Sequence, residues 1–165
     1  MSHAVTVARV FDYLGGVTSP TKARGTGGGL DQTGNSIANG GELFGLRVLI
    51  AEDQWLLADT LAVLLEEEGA TVIGPCPTTV SAIKRIVTEP VDFALVDMGL
   101  KDRFSDPVIE KLDAERIPYA VITGFNFLPT NAHDSAVEVI KKPIDQRALI
   151  KLLSPFARRM TRFNG

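Results

Sequence analysis

From Leu46 onward, short apolar runs rich in β-branched residues alternate with amphipathic stretches of helical length. Such alternation is the signature of βα units arranged around a parallel sheet, and it leaves few other architectures open. Five units can be counted. Leu46 to Ala51 reads as the first strand, followed by a helix from about Gln54 to Glu68 whose Leu57, Leu61, Leu64 and Leu65 share one face, with Gly69 closing it. Ala70 to Ile73 is a second strand ended by Gly74-Pro75, and Thr78 or Thr79 can cap a second helix to about Thr88, where Pro90 forces a break. Phe93 to Val96 is a continuous apolar run, as expected of a central strand covered on both faces. Asp106-Pro107 supplies the cap and first turn of a third helix ending near Arg116. Pro118 precedes the fourth strand, Tyr119 to Thr123, and Ala136 to Ile140 forms the fifth. Asp145 can cap a last helix to about Leu153, with Pro155 expected to interrupt it. Between Thr123 and Ala136, residues Gly124, Asn126, Pro129, Asn131 and Asp134 favour turns, so the fourth helix is expected to be short or absent.

The stretch before this domain is different. Ten of the 15 glycines fall in residues 1–45, where their backbone entropy opposes a fixed fold. Residues 1–45 therefore read as a flexible arm, residues 46–154 as the domain and residues 155–165 as a short tail. Arg9, Lys22 and Arg24 balance Asp12, Asp31 and Glu42, so the domain carries the whole net charge of -3. That balance provides no broad positive field for nucleic acid. Val7, Val10, Phe11 and Leu14 recur at helical spacing within the arm, which suits either a face that docks on the domain or a partner or a marginal helix in an otherwise irregular segment. The single cysteine, Cys76, excludes an intrachain disulfide and suits a reducing compartment, and no apolar run reaches the ~20 residues needed to cross a bilayer. The expected setting is the cytoplasm, without a membrane partner.

Polar residues follow directly on the apolar runs. Glu52-Asp53 ends the first strand, Asp97 the third, Thr123 the fourth and Lys142 the fifth. In an open parallel sheet these exits share one edge, and ligands bind there. Asp53 to Asp97 spans 44 residues, about two βα units, whereas Asp97 to Thr123 spans 26 and Thr123 to Lys142 spans 19, about one each. Clustered carboxylates repel, and a hard divalent cation, Mg²⁺ above all, relieves that repulsion while keeping coordination positions for phosphoryl oxygens. A cation, an ammonium and a hydroxyl around one carboxylate are the parts that phosphoryl transfer requires, with Asp97 as the nucleophile.

With Glu52-Asp53, Asp97, Thr123-Gly124 and Lys142-Pro143 in that order, residues 46–154 resemble the receiver domain of two-component response regulators. The resemblance implies a doubly wound five-stranded parallel sheet of order 2-1-3-4-5. It also implies that a histidine kinase or phosphotransfer protein donates a phosphoryl group to Asp97, and that Glu52 and Asp53 hold Mg²⁺ together with Asp97 and the backbone carbonyl of Gly99. Thr123 and Lys142 would then bind phosphoryl oxygens, with a cis peptide before Pro143. Two positions depart from the pattern: Lys101 stands where the family has proline, and Val139 where it has an aromatic switch residue. Phe125, two residues after Thr123, is the candidate substitute switch. The long stretch from Gly99 to Asp106, the reduced fourth helix and the Thr-Gly-aromatic step look similar to variant receivers that accompany HWE-type sensor kinases.

Each residue also has an ordinary reading. Asp53 can cap the first helix and meet its positive dipole end. Asp97 can begin a turn, Thr123 is a common strand residue, and Lys142 beside Lys141 can be solvated; only the set points to chemistry. His3 and His133 lack ligand-spaced partners, and Cys76 reads as a small core residue. The expected function is that of a stand-alone receiver, because Ser154 to Gly165 leaves no room for an effector. It would act through protein contacts, as a sink or relay for phosphoryl groups, or as a homodimer, with no catalysis beyond its own phosphorylation and dephosphorylation. The alternatives are a binding module of the same fold that has lost phosphorylation, and a Mg²⁺-dependent hydrolase or phosphotransferase of the haloacid-dehalogenase or Toprim type. Both hydrolase types want an Asp-x-Asp step, and here Met98-Gly99 follows Asp97.

Overall fold

The computed structural model describes residues 41–102, 104–124 and 135–163. In chain order these form β1 (Arg47–Ala51), α1 (Trp55–Glu67), β2 (Thr71–Cys76), α2 (Thr79–Thr88), β3 (Phe93–Asp97), α3 (Asp106–Ala114), β4 (Tyr119–Thr123), β5 (Glu138–Lys141) and α4 (Gln146–Phe163). The five strands make one parallel sheet of order β2-β1-β3-β4-β5. That is the expected doubly wound α/β arrangement. The expected short fourth helix and Phe125 lie outside the described residues, as does the arm before Gly41.

Every residue of β3 and β4 is buried, as their uninterrupted apolar composition requires. On one face of the sheet Leu49, Ala94, Val96, Tyr119 and Val121 pack with Ala82 and Ile86 of α2 and with Val108, Ile109 and Leu112 of α3. Strand alternation turns Val48, Ile50, Phe93 and Leu95 to the other face, and they are fully buried too. There Phe93 meets Phe156 of α4 edge to face, with ring centroids 4.8 Å apart. Thr78 caps α2 through a capping box with Ser81.

Three boundaries differ from the sequence reading. The compact unit begins at Gly41 rather than Leu46. Leu43 is fully buried and donates its N–H to the Glu68 carbonyl, while a Cβ at Gly41 would stand 2.4 Å from the Glu68 backbone. The second strand does not stop at Ile73, because Gly74-Pro75 is an irregularity within β2. The register passes from Leu49↔Ile73 to Ala51↔Cys76, and Gly74 takes φ +107° where a Cβ would lie 2.9 Å from the Ile50 carbonyl. Finally, α4 runs through Pro155. Pro155 cannot donate to the Lys151 carbonyl, but the Ser154 hydroxyl does so at 3.4 Å, and buried Phe156 and Ala157 anchor the turn that follows. Among the described residues, no helix is long and apolar enough to cross a membrane.

Candidate functional site

Parallel pairing brings the exits of β1, β3, β4 and β5 to one edge. Asp97, the last residue of β3, pairs with Ile122, so Thr123 at the end of β4 stands one position beyond it. The Thr123 carbonyl accepts the Lys142 N–H at 2.9 Å, which fixes the start of the Lys142-Pro143 step; that peptide is cis. The Lys142 Nζ donates to Asp97 Oδ2 at 2.9 Å and lies the same distance from Glu52 Oε2. Glu52 Oε1 accepts the Gln54 N–H at 3.0 Å, and the Glu52 N–H reaches the Cys76 carbonyl at 3.1 Å. Carboxylate oxygens of Glu52, Asp53 and Asp97 lie within 4.8 Å of one another.

The inner members of the cluster are closed to solvent, whereas Asp53 is not buried. Glu52 and Thr123 are each 1% exposed and Asp97 is 6% exposed. Burial pushes the Glu52 carboxyl above its ordinary value, and the Asp97 charge works in the same direction against the Gln54 N–H and Lys142. Burial alone would lower Lys142, but its hydrogen bonds to Asp97 and Glu52 prevail, so its ammonium is held above the usual lysine range. Among the described residues, one ammonium against three carboxyl groups leaves an acidic excess of oxygen donors, a set that fits a small hard divalent cation. Gly99 follows two residues after Asp97 and pairs with Phe104 in an isolated antiparallel bridge. Nothing lies within 4 Å of where a Cβ at Gly99 would stand, so its backbone is open on that side.

The structure therefore gathers Glu52, Asp53, Asp97 and Lys142, with Thr123 at the adjacent strand exit. Phe125 lies outside the described residues. Val139, in the position of the family's aromatic residue, is half-buried in β5. Cys76 is buried, and burial pushes its thiol pKa upward. Trp55, the first residue of α1, is 76% exposed.

Sequence reasoning missed a second set of contacts beside this cluster. Asp102 Oδ1 accepts the Thr79 N–H at 2.9 Å and Asp102 Oδ2 accepts the Thr79 hydroxyl at 2.5 Å. The Lys101 N–H donates to the Pro77 carbonyl at 3.1 Å. The adjacent threonines announce a helix cap, but nothing local in the sequence pairs either with a carboxylate 23 residues away.

No protein-family model matches the sequence. Over 126 residues the chain is 31% identical to the sensory transduction protein RegX3 of Mycolicibacterium smegmatis, an alignment covering 68% of this chain and 50% of that protein. Over 112 residues it is 28% identical to the transcriptional regulatory protein PdtaR of Mycobacterium tuberculosis, covering 67% of this chain and 50% of that one. The chain thus spans about half the length of the curated relatives it matches. Among solved structures, a CheY-like response regulator receiver domain protein from Methanospirillum hungatei superposes with a TM-score of 0.62 at 26% identity. That match covers 71% of this chain and 97% of the other.

Proposed function

Because this chain carries a response-regulator receiver domain, we propose that Asp97 is its phosphoacceptor, charged by the phosphohistidine of a sensor kinase or phosphotransfer protein. The observation that carries this reading is the Lys142 ammonium, held 2.9 Å from both Asp97 and Glu52 at the mouth of the three-carboxylate cluster. An Asp97 oxygen attacks phosphorus in line, a P–O bond forms as the P–N bond of the donor breaks, and the electron pair leaves with the imidazole.

Glu52, Asp53 and Asp97 are the side chains that would hold Mg²⁺, with the Gly99 carbonyl as the further ligand implied by the resemblance, and the ion supplies charge neutralisation on the phosphoryl oxygens. Lys142 is placed to exchange its carboxylate partner for a phosphoryl oxygen, and Thr123 to donate its hydroxyl to another. The low exposure of Asp97 limits the water that can reach the acyl phosphate. No reaction on an independent substrate is needed; the domain acts on itself, in a cytoplasmic setting, and reports through contacts with other proteins or as a phosphoryl sink or relay. The Thr123-Gly124-Phe125 step nominates an HWE-type kinase as donor and Phe125 as the responding side chain.

Val139 favours a second reading. An aliphatic residue in β5 has no rotamer switch to offer, which suits a binding module of the same fold that is never phosphorylated. Intact-mass analysis after incubation with acetyl phosphate and Mg²⁺ separates the two. One phosphoryl group on the wild type, none on Asp97→Ala and none in excess chelator is the expected result. A wild type left unmodified by acetyl phosphate, phosphoramidate and phosphorylated kinase supports the binding module instead.

A further inference from the structure

We propose that Asp102 is a positioning residue for the Mg²⁺ site, acting through Thr79 to fix the turn on which Gly99 stands. The inference rests on the assignment of Asp97 and Mg²⁺ given above. Its starting point is a redundancy. The N-terminus of α2 is already capped by Thr78, whose hydroxyl accepts the Ser81 N–H at 3.1 Å. The helix therefore does not need Asp102 as its cap, yet Asp102 makes two further bonds there, at 2.9 and 2.5 Å, to the backbone and hydroxyl of Thr79. Thr79 is 1% exposed, so one end of this tie is locked in the core, whereas Asp102 itself is on the surface.

What the tie holds is the chain just beyond the acceptor. Lys101 and Asp102 are both bound to the β2 exit, one through Pro77 and the other through Thr79. The residue before Pro77 holds the other side of the cluster, since the Cys76 carbonyl accepts the Glu52 N–H at 3.1 Å. The four residues Cys76 to Thr79 thus form a strap whose one end grips the backbone of an acidic ligand and whose other end grips the turn carrying Gly99. The turn has no proline to stiffen it, because Lys101 stands at that position. Two charge-assisted hydrogen bonds to the Asp102 carboxylate, one from the Thr79 N–H and one from its hydroxyl, supply the stiffness instead. Groups that orient a metal ligand without touching the metal typically change affinity 10- to 100-fold when removed.

The test measures Mg²⁺ dependence in the full chain by two readouts: the fluorescence of Trp55, the single tryptophan, and the Mg²⁺ concentration that half-saturates labelling of Asp97 by acetyl phosphate. Asp102→Ala and Thr79→Val are each expected to raise the half-saturating Mg²⁺ concentration roughly tenfold in both readouts while leaving the labelling plateau at saturating Mg²⁺ unchanged. Thr79→Ser, which keeps the hydroxyl, is expected to restore wild-type values. Thr79→Val preserves the shape of the side chain, so it carries the test if Asp102→Ala fails to fold. Wild-type half-saturation in both variants, or an equal shift in Thr79→Ser and Thr79→Val, overturns the proposal and leaves the acceptor assignment standing. A lowered plateau with unchanged half-saturation also overturns it. A wild type that neither responds to Mg²⁺ nor accepts phosphate removes the proposal and its premise together.

Discussion

At the scale of single residues, the site is a frustrated charge cluster. Lys142 lies 2.9 Å from a carboxylate oxygen of both Asp97 and Glu52, but Asp53 adds a third carboxyl group within 4.8 Å with no ion pair of its own among the described residues. Removing that charge relieves repulsion in the metal-free state. Asp53→Asn is therefore expected to leave the chelated protein at least as stable as the wild type, read by urea unfolding, and to abolish the stabilisation that Mg²⁺ confers on the wild type. Cys76 makes a second prediction. Its buried thiol is held above its ordinary value of 9.0, so the proton stays on sulfur through neutral and mildly alkaline pH. Alkylation near pH ~8 is expected to be slow in the folded protein and rapid in denaturant, and equal rates would contradict the burial.

The placing of Glu52, Asp53, Asp97 and Lys142 at one edge was legible because each stands within two residues of the end of an apolar run that the sheet must bury, so strand direction dictates where they emerge. Asp102 and Thr79 were not legible. Each alone looks like a loop acid or a helix cap, and only the folded chain brings them within 2.5 Å.

At the scale of elements, Gly69 and Pro90 end their helices as read, but the sequence reading failed at Gly74 and Pro155, which it also took as full stops. Pro155 was expected to end the last helix, but the Ser154 hydroxyl replaces the missing donor and Phe156 finds a site against Phe93 in the core. Tertiary packing outweighs the local cost of ~3 kcal/mol for proline in a helix interior. Phe156→Ala is accordingly expected to destabilise the domain by about 3 kcal/mol or more, whereas a helix that stopped at Leu153 would make the substitution nearly neutral. Thermal or urea unfolding distinguishes these outcomes. Gly74 was read in the same way as a strand end, and the reason it is not one is steric. Only glycine tolerates the 2.9 Å approach of the Ile50 carbonyl, which lets β2 continue to Cys76 and so deliver the Cys76 carbonyl to Glu52.

At the scale of the whole molecule, strand order was the decisive inference. The sheet takes the order that the receiver resemblance implies, β2-β1-β3-β4-β5, which sets β1 and β3 side by side, and their exits supply all three carboxylates. Four separate segments then share responsibility for one carboxylate, and the most direct check is to ask which carboxylate becomes an acyl phosphate. The protein is incubated with acetyl phosphate and Mg²⁺, reduced with borohydride and mapped by peptide mass spectrometry. Homoserine at position 97 alone, absent when Mg²⁺ is chelated, is the result expected; aspartate persisting at 97, or homoserine at another acid, contradicts the account.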